Sequence, residues 1–520
     1  MAQLLDEAAG TVFVGGSGPG HATPEHLLLK LANRHGLIAG ATGTGKTVTL
    51  QTLAESLSLA GVPVFLSDIK GDLSGLAKAG SADGKLHEPF AARAAQIGLA
   101  LDYRAFPVTF WDVWGVQGHP VRTTPAEMGP LLLARLMDLT EAQEGVMAIA
   151  FRVAEEEGLP LLDLRDLQAV LVWVGQNAAE LSLRYGNISA ASVGAIQRAL
   201  LVLETEGGAN LFGEPALELS DILRRDADGR GVINILAAER LMNAPRLYAT
   251  FLLWLLSELF EQLPEVGDPD RPVAAFFFDE AHLLFDDAPK ALIEKVERVA
   301  RLIRSKGVSI WFVTQNPADV PESVLGQLGN RVQHALRAFT AKDQKALREA
   351  AQNYRPNPDF SIAEAIQQVG TGEAVTSFLQ PKGVPGVAQR TLIRPPFSQV
   401  GPITEAERAA LRATSGMGLK YDTALDRDSA YEMLARKTAA AAEAAERRPA
   451  DDDLFDMPAR DGSAPGGRGR PYQAPKPKAP SRGRSDSIVE TFGKSLARQL
   501  GTRTGQALVR GVLGSLIRKR

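Results

Sequence analysis

Short apolar runs alternate with segments of helical periodicity along much of the chain. The runs predict an edge strand at 11–15, buried strands at 36–39, 62–68, 108–113, 231–236, 273–278, 308–315 and 332–339, and paired strands at 372–379 and 386–394. Helices are predicted between them at 48–59, 245–263 and 288–305. A strand, a crossover helix and another strand form a parallel βαβ unit. The pattern therefore predicts an α/β fold with functional sites beyond the carboxyl ends of its strands.

Two kinds of segment interrupt this alternation. A long helical stretch with few strand signals predicts an inserted helical subdomain, and a later stretch rich in Asp, Gly, Pro and Arg predicts a disordered linker. The predicted divisions are an N-terminal part of the core at 1–123, the helical insertion at 124–230, a C-terminal part of the core at 231–400, a helical extension at 401–447, the linker at 448–485 and a basic amphipathic segment at 486–520.

Composition narrows the class of protein. The 520 residues are 45% hydrophobic, which is enough for a large core, and they contain no cysteine, which excludes disulfides and cysteine-ligated zinc. The longest apolar runs are too short to span a bilayer and the N-terminus lacks a signal-peptide pattern, so we expect a cytoplasmic protein without a transmembrane segment. Because the net charge is −4, any site for nucleic acid must be local.

The motif G-x-x-x-x-G-K-[ST] follows the predicted strand at 36–39 and precedes the helix at 48–59. This is the context of a phosphate-binding P-loop, in which backbone N–H groups and a helix N-terminus face the phosphates of a nucleotide. Lys46 is expected to reach the β- and γ-phosphates of ATP, and the Thr47 hydroxyl to bind Mg²⁺. The predicted nucleotide-binding residues are Gly40, Ala41, Thr42, Gly43, Thr44, Gly45, Lys46, Thr47 and Val48.

A second chemical motif ends the apolar run at 273–278. Beside a complete P-loop, the two acids that follow predict a metal-binding strand, with Asp279 in the Mg²⁺ shell and Glu280 polarising the attacking water. The letters DEAH are completed by the next two residues, but the other motifs of DEAH-box helicases do not occur. We therefore interpret His282 as a structural or coupling residue.

Three further groups have two interpretations each. Gln315 either senses the γ-phosphate or attacking water or simply ends its strand, and we favour the sensor. Arg304 either acts in the site of a neighbouring subunit or lies on a solvated basic face. Asp68 and the turn 70–72 lie near the nucleotide for Mg²⁺-water or γ-phosphate sensing, or Asp72 caps the helix that follows.

The C-terminal segment at 486–520 has two apolar stripes among basic residues. It suits an oligomer-docking or protein-partner helix, a DNA-binding tail or a membrane-surface helix. Docking onto its own ring or a protein partner is favoured.

Several stretches resemble the HerA/FtsK-type ATPases, and within them the bacterial YjgR-like proteins with a HerA-helicase C-terminal domain. The similar stretches are NRHGLIAGATGTGKT, SDIKGDLSGLA, FFFDEAH, RSKGVSIWFVTQNPADVP, IRPPFSQVGP and YDTALDRDSAYEML. The resemblance implies a RecA-like P-loop core of the class with an additional strand between the P-loop strand and the metal-binding strand, assembled as a hexamer.

The resemblance also implies roles for individual residues. It makes Lys46 and Thr47 nucleotide ligands, Asp279 a metal-shell residue, Glu280 the catalytic base, and Gln315 and Arg304 the sensor and the trans-acting arginine. HerA-type relatives pump duplex DNA through their rings. About 35 residues precede the P-loop, too few for the N-terminal β-barrel of HerA helicases, so we do not extend their nuclease partnership to this chain.

Two functions from different classes follow from these observations. The first is a ring-shaped hydrolase, an ATPase that acts as a DNA translocase or helicase. The second is an ATP-dependent regulatory or assembly protein that acts on a protein partner without moving along DNA. A small-molecule kinase ranks third, because Glu280 beside Asp279 and the arginine-rich helix suit hydrolysis between subunits.

Overall fold

A computed structural model describes residues 3–285 and 290–446 of the chain. The chain divides into two compact units, Met1–Tyr431 and Glu432–Arg520. The predicted linker at 448–485 and the predicted amphipathic segment at 486–520 lie outside the described residues.

The strands of the described residues are short and mostly buried. In chain order they are β1 Leu5–Asp6, β2 Thr11–Ser17, β3 Thr23–Leu28, β4 Gly36–Ala39, β5 Val64–Asp68, β6 Val108–Asp112, β7 His119–Pro120, β8 Ile233–Ala237, β9 Ala274–Phe278, β10 Val308–Thr314, β11 Asn330–Gln333, β12 Glu373–Ser377, β13 Leu379–Gln380, β14 Val384–Pro385 and β15 Gln389–Ile393.

Helices lie in the connections between strands, and a large group of them lies between β7 and β8. They are α1 Leu29–Ala32, α2 Lys46–Leu59, α3 His87–Gln96, α4 Pro125–Leu136, α5 Glu141–Glu156, α6 Leu164–Gln176, α7 Ala178–Tyr185, α8 Ala190–Leu203, α9 Ala209–Leu211, α10 Leu219–Ile222, α11 Pro245–Gln262, α12 His282–Phe285, α13 Lys290–Leu302, α14 Glu322–Leu325, α15 Ala341–Gln352, α16 Ile362–Gln368, α17 Glu405–Thr414, α18 Gly418–Tyr421 and α19 Ala430–Glu446. Across the described residues, no single helix has the length and apolarity needed to cross a membrane; the bent pair Ala178–Tyr185 and Ala190–Leu211 meets the criteria by length and composition alone.

One large sheet joins most of the strands in the order β1-β2-β15-β12-β11-β4-β10-β9-β5-β8-β6-β7, with β3 also paired to β2. All neighbours from β11 to β7 are parallel. Strand β10 lies between the P-loop strand β4 and the strand β9 that precedes Asp279. The sheet therefore contains the additional strand that the sequence resemblance implies.

The parallel strands are covered on both faces, as their continuous apolar runs require. Leu53 and Leu57 of α2 belong to the same hydrophobic cluster as Phe277 and Trp311, whose rings stack 5.7 Å apart. On the strand β9, Phe276 stacks on Phe65 instead. Side chains alternate between the faces of a strand, so neighbouring phenylalanines serve the two layers separately.

An antiparallel group extends the sheet beyond β11. Strand β12 pairs with β11 and β15, and β15 pairs with β2, which confirms the predicted pairing of the last two strands. The prediction of an edge strand at 11–15 is wrong, because β2 also pairs with β1 and β3. Close neighbours explain the two glycines in β2: a Cβ at Gly15 would lie 2.2 Å from the Leu392 carbonyl oxygen, and one at Gly16 would lie 2.1 Å from that of His21.

The predicted strand at 332–339 is too long. Strand β11 ends at Gln333, and the chain then turns to α16, where the Leu336 N–H donates to the Ile366 carbonyl at 3.3 Å. Leu336 and Ile366 belong to a small hydrophobic cluster of their own. Ala335 and Leu336, which suggested a longer strand, therefore pack in this cluster, whereas Phe339 is 84% exposed.

A buried ion pair attaches the segment after β15 to the P-loop helix α2. The Arg394 guanidinium donates to the Glu55 carboxylate at 2.9 Å, and both side chains are 0% exposed. The same carboxylate accepts hydrogen bonds from the backbone N–H groups of Phe397 and Ser398, while Arg394 also donates to the Thr52 carbonyl at 2.6 Å. Because nearly all polar atoms of the pair have partners, it holds one fixed geometry.

We expect Arg394→Met to lower the free energy of unfolding by about 3 to 5 kcal/mol, because it leaves the Glu55 charge buried without its partner. Urea unfolding followed by circular dichroism measures the change. The matched control is Lys345→Met, which breaks an exposed pair with Glu349 (N to O 3.7 Å) and should change stability by less than about 0.5 kcal/mol. Equal effects of the two substitutions would contradict this prediction.

Candidate active site

The P-loop joins β4 to α2 at the carboxyl edge of the parallel strands. Helix α2 begins at Lys46, two residues before the predicted start. The Lys46 ammonium is buried and donates to the carbonyls of Gly40 at 2.5 Å and Ala41 at 3.2 Å, so its side chain folds back over the loop. Burial lowers the pKa of Lys46, and the nearby Glu280 carboxylate partly opposes that shift. The loop thus holds a cation within its concave side.

Strand β9 delivers two carboxylates to the same edge. Asp279 is 3% exposed, and burial, with the neighbouring charge of Glu280, raises its pKa to about 6. The Asp279 N–H donates to the Ser67 hydroxyl at 3.2 Å, and Tyr248 donates to the same hydroxyl at 2.8 Å. This contact with β5 and α11 fixes the end of β9.

The carboxylate of Asp279 fits a metal shell. Its Oδ1 accepts the Glu280 N–H at 2.9 Å, whereas Oδ2 is buried and has no hydrogen-bond partner within the described part of the chain. A buried carboxylate oxygen without a donor is the kind of ligand that Mg²⁺ or its bound water takes. Thr47 follows Lys46 in the first turn of α2. The residues present therefore suit Mg²⁺.

Glu280 is surrounded by donors. The Lys70 ammonium lies 2.5 Å from Oε1, while the Gln315 amide donates to Oε2 at 3.3 Å and the His282 ring nitrogen Nδ1 lies 3.4 Å from the same oxygen. Burial alone would raise the pKa of Glu280, but the Lys70 ammonium and the Gln315 amide bring it below its ordinary value. The structure thus brings Gln315, Glu280 and Asp279 together, as predicted for adjacent parallel strands.

The structure does not support the interpretation that Asp72 caps the helical turn after β5. Asp68, not Asp72, satisfies the backbone there: its carboxylate accepts the N–H groups of Gly71 at 2.8 Å and Leu73 at 3.0 Å. Asp72 makes no side-chain cap bond. Burial and the charge of Asp72 raise the pKa of Asp68 to about 7. The carboxylate predicted to face Mg²⁺ water therefore closes the turn that presents Lys70.

The family described as Helicase HerA-like C-terminal matches residues 17–520. The chain belongs to this family. Two curated relatives align over short segments: the probable helicase MJECL08 of Methanocaldococcus jannaschii is 26% identical over 153 residues, and the DNA double-strand break repair helicase HerA of Sulfolobus acidocaldarius is 30% identical over 98 residues. These segments cover 28% and 19% of this chain, and the same shares of the relatives.

A solved structure shares the fold of the HerA-like chain. The bacterial conjugative coupling protein TrwBdeltaN70 superposes with a TM-score of 0.50 at 16% identity, over 78% of this chain and 92% of its own. The family match confirms the resemblance to HerA-type proteins, and this likeness confirms the α/β P-loop fold class.

Arg304 lies at the opposite edge of the sheet of the HerA-like chain. It precedes β10, whereas Gln315 follows that strand, and seven strand residues at about 3.3 Å each separate the two edges by roughly 20 Å. There its guanidinium is 3.4 Å from the Asp268 carboxylate, which also pairs with Arg34 at 3.0 Å. The site of the same chain is therefore out of its reach.

His334 is a buried residue of the site region that we did not predict. Its ring nitrogens lie 2.8 Å from the Thr49 hydroxyl and 3.0 Å from the Glu373 carbonyl oxygen, directly behind the P-loop. A polar residue at the carboxyl end of β11 is the only sequence signal for it. Burial, with the charges of Lys46 and Arg93, lowers the pKa of His334 to about 4 despite the bond to Glu373.

Because of this shift, the protonation of His334 makes the free energy of unfolding of the HerA-like chain depend on pH. Between pH 6.5, the ordinary pKa of histidine, and about pH 4, the folded pKa, His334 binds a proton in the unfolded chain but not in the folded chain. Lowering the pH through this range therefore favours the unfolded chain and lowers the free energy of unfolding. From pH 7.5 to 5 the wild type should therefore lose about 2 kcal/mol more stability than His334→Gln. Urea unfolding at both pH values tests this, and parallel pH profiles would contradict it.

Proposed function

We propose that the protein is a ring-forming motor ATPase that couples ATP hydrolysis to movement on DNA. The observation that carries the proposal is the meeting of Lys46, Asp279, Glu280 and Gln315 at one sheet edge, with β10 between the strands that bear the P-loop and the acids. A phosphate cradle, a metal-shell carboxylate, a base and an amide around one position are the parts that ATP hydrolysis needs, which supports the proposal.

Each group then has a distinct role in hydrolysis. The backbone from Gly40 to Val48 and the Lys46 ammonium bind the β- and γ-phosphates, and Thr47 and Asp279 hold Mg²⁺. Bound Mg²⁺ neutralises charge on the phosphates. Glu280 accepts a proton from the attacking water, and Gln315, which shares a hydrogen bond with that carboxylate, orients the water.

The HerA-like family supports a motor related to DNA translocases over the alternative, a regulator that acts on a protein partner. One aligned relative is described as a repair helicase and the other as a probable helicase. Since the net charge of this chain is −4, its contact with DNA must use a local basic surface, such as the lining of a ring.

Steady-state ATP hydrolysis tests this proposal. Duplex or single-stranded DNA should stimulate the wild type, and the stimulation should fade as salt rises because phosphate contacts release counterions. Glu280→Gln should lower kcat at least about 100-fold, as the loss of a general base does. Hydrolysis that needs Glu280 but ignores DNA at every salt concentration would reject the translocase and favour the regulator.

A mixing experiment tests whether Arg304 completes the site of a neighbouring copy. Arg304→Ala and Glu280→Gln should each be nearly inactive, because a trans-acting arginine contributes about 10³-fold or more. An equal mixture should recover activity, since an interface between an intact Glu280 and an intact Arg304 then forms.

The matched control is Arg301→Ala. Arg301 lies in α13 and forms an exposed ion pair with Glu297, so its loss should leave the activity unchanged. An Arg304→Ala variant as active as this control would show that Arg304 has no part in catalysis.

A further inference from the structure

Lys70 makes the strongest contact with the proposed catalytic base. Its ammonium is 2.5 Å from Glu280 Oε1, and the Glu280 side chain is only 4% exposed. Gln315 and His282 approach the other carboxylate oxygen, at 3.3 Å and 3.4 Å. Both oxygens of the base therefore already face donors.

A carboxylate in this position is a poor general base. A charge-assisted hydrogen bond to an ammonium occupies a lone pair of Oε1 and stabilises the charged form of the acid, which makes the carboxylate less basic. A general base must also lie within hydrogen-bond reach of the water that it activates. While the Lys70 ammonium bonds to Oε1, that oxygen faces the lysine and not the water.

The backbone that carries Lys70 is held rigidly. Asp68 accepts the N–H groups of Gly71 and Leu73, and Gly71 has φ +74°, which favours glycine. A Cβ at Gly71 would lie 2.1 Å from Glu239 Oε1, so this turn also packs closely against the second residue after β8. The turn therefore fixes the lysine Cα opposite Glu280.

The side chain of Lys70 can still move. The Lys70 side chain is 42% exposed, and its ammonium is carried by a flexible chain of four carbons. The Glu280 side chain, in contrast, is buried, and its backbone is in the left-handed region with φ +46°. When the pair separates, it is the lysine that leaves. The contact thus joins a fixed base to a movable cation.

We propose that Lys70 is a positioning residue that restrains Glu280 and slows ATP hydrolysis until its ammonium moves away from the carboxylate. This inference rests on the proposed ATPase activity and gives Lys70 a role separate from phosphate binding. It assigns the turn 70–72 to control of the base.

The test is steady-state ATP hydrolysis by the full chain without DNA, comparing wild type with Lys70→Met and Lys70→Arg. Lys70→Met should raise kcat roughly three- to tenfold with KM for ATP unchanged, because it removes a charge-assisted hydrogen bond to the base. Lys70→Arg keeps a cation that can pair with Glu280 and should stay near the wild-type rate. Lys78→Met, which breaks a pair with Glu407 (N to O 2.6 Å), is the matched control and should leave kcat unchanged.

Two further variants make the result specific. In Lys70→Met combined with Glu280→Gln, the added activity should disappear, since it must pass through Glu280. Lys70→Gln repeats the measurement if Lys70→Met does not fold, as judged by thermal melting.

A lower or unchanged kcat in folded Lys70→Met and Lys70→Gln would overturn the proposal, and so would a raised KM at constant kcat, which indicates phosphate binding. Added activity that survives Glu280→Gln would overturn it too. If Glu280→Gln hydrolyses ATP as fast as the wild type, that result would instead reject the proposed ATPase site itself.

Discussion

Parallel pairing of the central strands is the constraint on which the site depends. From β11 to β7 every neighbour runs in the same direction, so all the carboxyl ends meet at one edge. Groups as distant in sequence as Lys46, Lys70 and Glu280 become neighbours for this reason alone. Such strands must be apolar on both faces, which leaves their ends as the place for polar chemistry.

The Glu55–Arg394 pair extends this arrangement into the antiparallel group. Helix α2 begins at Lys46, and its third turn holds the Glu55 carboxylate, which accepts hydrogen bonds from Arg394, Phe397 and Ser398. The segment after the last strand is thereby attached to the element that carries the P-loop. His334 makes a second attachment, from β11 to the first turns of the same helix.

Much of the fold and of the site could be predicted because the signals are local. A complete P-loop, and acids or an amide after apolar runs, identify Lys46, Asp279, Glu280 and Gln315 from contiguous residues. The contacts of Lys70, His334 and Arg394 could not be predicted, because they join side chains 210, 285 and 339 positions apart. Likewise, β2 was expected at an edge because nothing in its own residues indicates that three strands pair with it.

The position of Arg304 at the amino edge has a consequence for symmetry. A copy that offers Arg304 to the P-loop of another uses two different surfaces, one from each edge of its sheet. If the copies share one orientation, such a contact is heterologous, so it leaves one unused surface of each kind and repeats from copy to copy. A closed cycle of copies in this orientation leaves neither surface unused, and every site in the cycle would then be completed by its neighbour.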